Sequence, residues 1–378
     1  MKKLASLLPG VGAIAGITAY AAFFLHAESQ AAVLGLVALG VLGVPAAALL
    51  GLTSRVSASL ESHPGAVRLA IAAGLAAIVA LFYDQHFVML MLASVLFYTV
   101  ACLGLTVQFG YAGVVNFAGA AFLGVGGYTS AMLGPHLPHV LVLVLGGLLA
   151  ALLGSILILP ILRTRGHYAA LITVAFGILF RTFIEVNDAL GGPQGLQVGG
   201  MNLFGWELNT GLRFGEQELS FYANYVLVGL VLAAASFALV RRLERSWVGL
   251  NFDAVRLDET ACAVFGIDVA RWKILAFTVG NFFAGVAGSA YAMMTGFVAP
   301  TSFTFGDSLI LVSIVLLGGL GSLWGVALAA SIVLVLPEKL QALQEYRFLL
   351  YAVLVIVILL VRPQGLIPRR AREYFSRP

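Results

Sequence analysis

Long apolar runs recur along this chain, and several, such as Val88–Tyr111, Val140–Leu162 and Tyr222–Val240, contain no charged residue at all. A helix needs roughly 20 apolar residues to cross a bilayer, because the hydrocarbon core is about 30 Å thick and each residue rises about 1.5 Å. Runs of that kind begin near Leu7, Ala31, Val67, Val88, Phe117, Val140, Tyr168, Tyr222, Trp272 and Phe348. A further stretch, Phe305 to Leu336, is interrupted at Gly318, Gly319, Gly321 and Gly325 and reads as two short helices. The expected fold is all-α, a polytopic membrane helical bundle of about 10–12 transmembrane segments with broken, Gly-rich helices. With 61% of the 378 residues apolar and only 10% charged, little chain is left for a soluble domain.

The first run follows Met1, Lys2 and Lys3, and Ala19, Tyr20 and Ala21 resemble the small-residue cleavage site of a signal peptide. A first membrane helix is the better reading in a chain that continues with so many others. Cys102 lies in an apolar run and Cys262 in a basic loop, settings too different for a disulfide or a metal site.

Lys and Arg concentrate in cytoplasmic loops, so they orient the bundle. Arg55 and Arg68 flank one loop, Arg163 and Arg165 a second, and Arg241, Arg242, Arg245, Arg256, Arg271 and Lys273 crowd a third. The tail adds Arg362, Arg369, Arg370, Arg372 and Arg377. Both termini then fall inside, and the long segment Val186–Ser220, with Asp188, Glu207, Glu216 and Glu218 against Arg213, falls outside. The net charge of +4 is a topology signal and gives no reason to invoke nucleic acid.

Phe109 to Leu133, FGYAGVVNFAGAAFLGVGGYTSAML, carries Gly110, Gly113, Gly119, Gly124, Gly126 and Gly127, too many for a strong helix. Broken backbone inside a membrane survives only where protein or a water-filled cavity surrounds it. One reading is a discontinuous helix beside a translocation path with Asn116 as its polar group; the other is close packing through small residues, with Asn116 bonding between helices. Gly280, Ala284 and Gly288 share one helix face and point to packing, with Asn281 off that face.

Between Val240 and Trp272, Leu250, Ala254, Leu257, Ala261, Val264 and Phe265 recur at helical spacing, while Asn251, Arg256, Glu259 and Thr260 take other faces. This predicts a short amphipathic helix over Asp253–Gly266, lying on lipid or docking into a cytoplasmic partner. Asp258 and Glu259 would gain nothing from an anionic surface, which favours the partner.

Few ionisable residues enter the apolar runs. Arg181 and Glu185, four apart, suggest a surface pair; Asp307 and His167 suggest interfacial positions. No Gly-Lys dipeptide occurs, so there is no standard phosphate-binding loop, and no His-Glu-x-x-His occurs for zinc.

The Phe109–Leu133 segment, RTRGHYAALITVAFGILFR from Arg163, GGPQGL from Gly191, DETACAVFGIDVARWKILAF from Asp258, TFGDSLILVSIVLLGGLGSLWG from Thr304 and VRPQGLIP from Val361 occur in an order that resembles the LivM-type permease of branched-chain amino-acid ABC importers. The resemblance runs from about Val88 to the C-terminus. It implies a bacterial inner-membrane subunit without an ATPase site or bound cofactor of its own. Two cytoplasmic ATPases would bind ATP and Mg, a related second permease would complete a heterodimer, and a periplasmic binding protein would deliver branched-chain amino acids, other amino acids, amides or urea. It also implies that Asp253, Arg256, Leu257, Asp258, Glu259, Ala261 and Gly266 form the coupling helix; the Gly follows Glu259 one residue later than in many importers. Asn116, Gly119, Thr173 and Asn281 are the candidate path or packing residues. The expected division is a variable N-terminal part (1–85), a permease core (86–362) with its loop at about 241–272, and a basic cytoplasmic tail (363–378). The rival reading is an ion-coupled secondary transporter, which should show buried coupling charges; a membrane scaffold would not need the acidic cytoplasmic helix.

Overall fold

A computed structural model describes residues 2–27, 29–36, 38–39, 59, 64–164, 167–211, 213–214, 217–218, 220–339, 346, 349, 352–353, 356, 360, 364–367 and 369. Among them, seven helices are long and apolar enough to cross a membrane, alongside shorter apolar helices at Leu69–Leu81, Gly119–Leu133 and Leu323–Lys339. The runs expected near Ala31 and Phe348 lie largely outside the described residues.

The helices are α1 (Lys2–His26), α2 (Pro64–Leu81), α3 (His86–Thr106), α4 (Gly119–Leu133), α5 (His139–Leu162), α6 (His167–Val186), α7 (Tyr222–Arg245), α8 (Trp247–Leu257), α9 (Glu259–Val264), α10 (Val269–Thr295), α11 (Phe305–Gly318) and α12 (Leu323–Lys339). At the centre stands α10, packed on α3, α4 and α5. Its small residues make that possible. A Cβ on Gly126 of α4 would overlap the Gly285 carbonyl oxygen, and one on Gly288 would overlap the Leu123 carbonyl oxygen. Backbones this close gain dispersion contacts along their length, which stands in for the hydrophobic drive that lipid removes. The face Gly280, Ala284, Gly288 is thus a packing face as expected, and Gly285, one residue on, serves a second neighbour, α5.

Several helix ends are closed by a side chain or a glycine. Asp268 caps α10 by accepting the Arg271 N–H at 3.1 Å, and Gly296 ends it with φ +73, a left-handed conformation that costs glycine nothing. Thr304 and Asp307 form a capping box at the start of α11, which gives the expected interfacial Asp307 a structural task. Arg181 and Glu185 pair at 2.7 Å on α6.

The segment between α6 and α7 carries short strands. Leu196–Gln197 pairs antiparallel with Phe297–Val298, Asn202–Leu203 with Trp206–Glu207, and Arg213–Phe214 with Gln217–Glu218. Tyr225 of α7 pins this cover to the bundle: its hydroxyl accepts the Met201 N–H at 3.0 Å and donates to the Met293 carbonyl at 2.9 Å. The cover closes the end of the bundle opposite to α8 and α9. Towards the N-terminus, α1 packs on α2, and Lys339 of α12 donates to the carbonyls of Leu25 and Ala27 just where α1 ends.

Candidate functional site

Two breaks in the helices meet on the α8 side of the bundle. After α3 the chain makes one turn of π-helix at Val107–Tyr111 and runs without regular secondary structure through residues 112–118 before α4 begins. Gly113 at φ +68 takes a conformation that a side chain would strain. The second break separates α11 from α12, with Gly319 at φ +105 and Gly321 at φ +85. Gly110 of the first break lies against the Gly321 backbone of the second so closely that a Cβ would not fit.

Broken backbone needs substitute hydrogen bonds, and side chains within and beyond the breaks, together with backbone groups of the C-terminal segment, supply them. At the first break, Thr173 of α6 accepts the Phe117 N–H at 3.0 Å, Asn116 accepts the Ala118 N–H at 2.9 Å, and Ser308 of α11 accepts the Ala120 N–H at 3.1 Å. At the second, Leu366 and Ile367 donate their N–H groups to the Leu317 and Gly318 carbonyls at 2.8 and 3.2 Å. Leu366 and Ile367, within the C-terminal motif, therefore close the end of α11.

Above the first break lies a cluster of three buried amides. Asn116 donates through Nδ2 to Gln108 Oε1 at 2.9 Å and to Asn281 Oδ1 at 3.0 Å; Gln108 donates through Nε2 to Asn281 Oδ1 and to the Phe277 carbonyl, both at 3.0 Å. Among the described residues Asn281 Nδ2 has no hydrogen-bond partner, and it lies against Gly154 of α5. Gly119 packs against Leu105 and Leu311. All four expected residues, Asn116, Gly119, Thr173 and Asn281, are buried around this break, three of them through polar bonds and Gly119 through close approach. Gln108 was not among them, although it is a lone amide in an apolar run eight residues before Asn116. The cluster holds three elements together with neutral groups that do not titrate.

At the α8–α9 end the structure corrects the expected Asp253–Gly266 helix. There are two helices, because Asp258 leaves the helical conformation (φ −156, ψ 107) and turns its carboxylate onto the Thr260 and Ala261 N–H groups, at 2.8 and 2.9 Å. Such a cap is worth about 1 kcal/mol and competes with continuing the first helix. Ser246 caps α8 in the same way, and Gly266, with φ +78, ends the second turn.

Asp253, half-buried, and Arg256, still exposed, each bond back to the bundle. Arg256 donates to the Gly110 carbonyl. Asp253 receives a forked pair of bonds from Arg369, Nη1 to Oδ1 at 2.6 Å and Nη2 to Oδ2 at 3.0 Å, while Arg369 Nε reaches Glu244 at 3.2 Å. The guanidinium lies 4.4 Å over the Tyr111 ring. Burial pulls the Arg369 pKa down, but the bond and charge of Asp253, with Tyr111 and Glu244, outweigh that and leave it above the ordinary value. Arg369, expected in a basic tail, is thus locked into the fold.

The exposed tip of the helix pair carries large apolar side chains beside Arg256, Asp258 and Glu259. Leu257 is 85% exposed, Val264 80% and Phe265 83%, whereas Phe252, Val255 and Cys262 turn inward. Ala261 is half-buried, and Glu259 is held at the surface by Lys273 at 2.6 Å. Of the six apolar positions, Leu250, Leu257, Val264 and Phe265 are exposed and Ala254 and Ala261 half-buried, the last three of the exposed ones near the tip.

Residues 87–361 match the family described as the branched-chain amino acid transport system permease component. The high-affinity branched-chain amino acid transport system permease proteins LivM of Salmonella typhimurium and Escherichia coli are each 36% identical over 289 residues, which covers 72% of this chain and 68% of theirs. A branched-chain amino acid transport permease of Methanocaldococcus jannaschii is 25% identical over 327 residues, covering 72% of this chain and 91% of that one. No solved structure matches.

Proposed function

The chain belongs to the family of branched-chain amino acid transport permeases, and we propose that it works as the LivM-type membrane subunit of an ATP-driven importer in a bacterial inner membrane. It is a multi-pass transport subunit. The observation that carries the rest is the exposed apolar tip Leu257, Val264 and Phe265, set on helices whose other face is bonded into the broken core. An apolar patch of this kind beside basic residues suits a cleft in a cytoplasmic ATPase better than water. Two such ATPases would bind ATP and Mg, and a related second permease would complete the path as a heterodimer. A periplasmic binding protein would deliver the ligand to the strand-bearing cover, with both termini of this chain in the cytoplasm, as the Arg distribution favours.

ATP binding would draw the two ATPases together and carry α8 and α9 with them. Since Arg256 and Asp253 tie those helices to the breaks, their displacement would reach the Gly110–Gly321 contact. Neutral amides near the break suit a zwitterionic amino acid, which a fixed charge would retain. An ion-coupled transporter would instead need a buried titratable relay, and the polar cluster described above has none.

The test is reconstitution. The purified chain alone should hydrolyse no ATP, while the assembled complex in liposomes should take up leucine, isoleucine or valine with ATP and loaded binding protein. Ion-driven uptake by this chain alone would overturn the reading.

A further inference from the structure

Arg369 makes three kinds of contact with three separate parts of the fold. Its fork holds Asp253 on α8, its Nε holds Glu244 in the last turn of α7, and its plane covers Tyr111 in the turn of π-helix. Its Cδ sits where a Cβ on Gly321 would go, at 2.7 Å, so it also fills the second break. The side chains of Arg369 and Asp253 are 13% and 14% exposed, which shields the pair from solvent screening. Four residues earlier, Gly365 packs on Gly319, and Leu366 and Ile367 bond to the end of α11. The guanidinium therefore stands on a strap that is itself fixed to one break while it grips the helices that leave the bundle.

We propose that Arg369 is a positioning residue for transport: a clasp that makes α8 and the two helix breaks move as one body. This rests on the assignment of the α8–α9 tip as the ATPase-facing surface. A planar fork suits the task, because two parallel bonds to Asp253 fix orientation as well as distance, while stacking on Tyr111 resists tilting. Arg256, which bonds the Gly110 carbonyl from the same helix, is a second tie to the same break. Release of the clasp would let α8 follow an ATPase while the breaks lag behind.

The experiment measures ligand imported per ATP hydrolysed by the full complex in proteoliposomes, normalised to the amount of assembled complex. Arg369→Gln should lower that ratio by about tenfold or more, within the range of a single coupling link. Arg369→Lys, which keeps charge but loses the fork, should fall between. The reversed pair Asp253→Arg with Arg369→Asp should recover part of the ratio that either change alone removes. An unchanged ratio in assembled Arg369→Gln complex overturns the clasp and leaves the importer reading intact. Failure of every variant to assemble makes Arg369 a folding element and overturns it too. A wild-type complex without ATP-driven uptake overturns the importer reading, and the clasp with it.

Discussion

At the scale of single residues, the buried amides set the terms. Asn116 donates twice and accepts once within a site closed to water, so removing it strands several groups at once. Asn116→Ala leaves Gln108 Oε1 and the Ala118 N–H without their partners, at about 1–3 kcal/mol for each group left unsatisfied. The expected outcome is a clearly lower unfolding temperature of the detergent-purified chain, measured by thermal shift, and low expression. An unchanged unfolding temperature would show that the site relaxes without cost. Asn116 and Asn281 are legible in the sequence because an amide in an apolar run must find a partner. Gln108 obeys the same rule, yet it precedes the Gly-rich segment and shares no helix face with Asn281. Arg369 is hidden for a different reason: in a cluster of tail arginines, nothing in sequence distinguishes the one that finds a carboxylate 116 residues away.

At the scale of elements, hydropathy placed the helices and the glycine clusters placed both breaks, since each signal reports a local property of the chain. Where one helix ends and another begins was less visible. The apolar periodicity from Leu250 to Phe265 continues straight through Asp258, and only the choice of that side chain to cap the next turn splits the element. The split leaves Leu257 at the tip, pointing away from the bundle. Leu257→Asp should therefore leave the isolated chain as stable as before, because the new charge stays in water. In the complex the same charge would be buried without a partner, at a cost of several kcal/mol. Copurification of the ATPases and uptake should both be lost, and normal copurification would mean that the tip docks elsewhere. Glu259→Lys, which breaks only an exposed pair with Lys273, should weaken coupling less.

At the scale of the whole molecule, the strand-bearing cover and the α8–α9 tip stand at opposite ends of the long helices α7 and α10. Single cysteines at Phe204 and Arg271, both exposed and at those two ends, should react from the periplasm and the cytoplasm respectively, in a chain whose buried Cys102 and Cys262 are replaced by Ala. Labelling of both from one side would reverse the orientation drawn from the arginines. The amide cluster at the waist of the bundle has a consequence beyond packing. Protons travel along groups that can take one up and pass it on, and Gln and Asn side chains stay neutral throughout the physiological range. Liposomes carrying the complex and a trapped pH dye should therefore show only the proton release that ATP hydrolysis itself produces, whereas a further proton flux in step with uptake would reveal a relay. A cell could then run this importer hard without discharging the electrochemical gradient on which its other energy conversion depends.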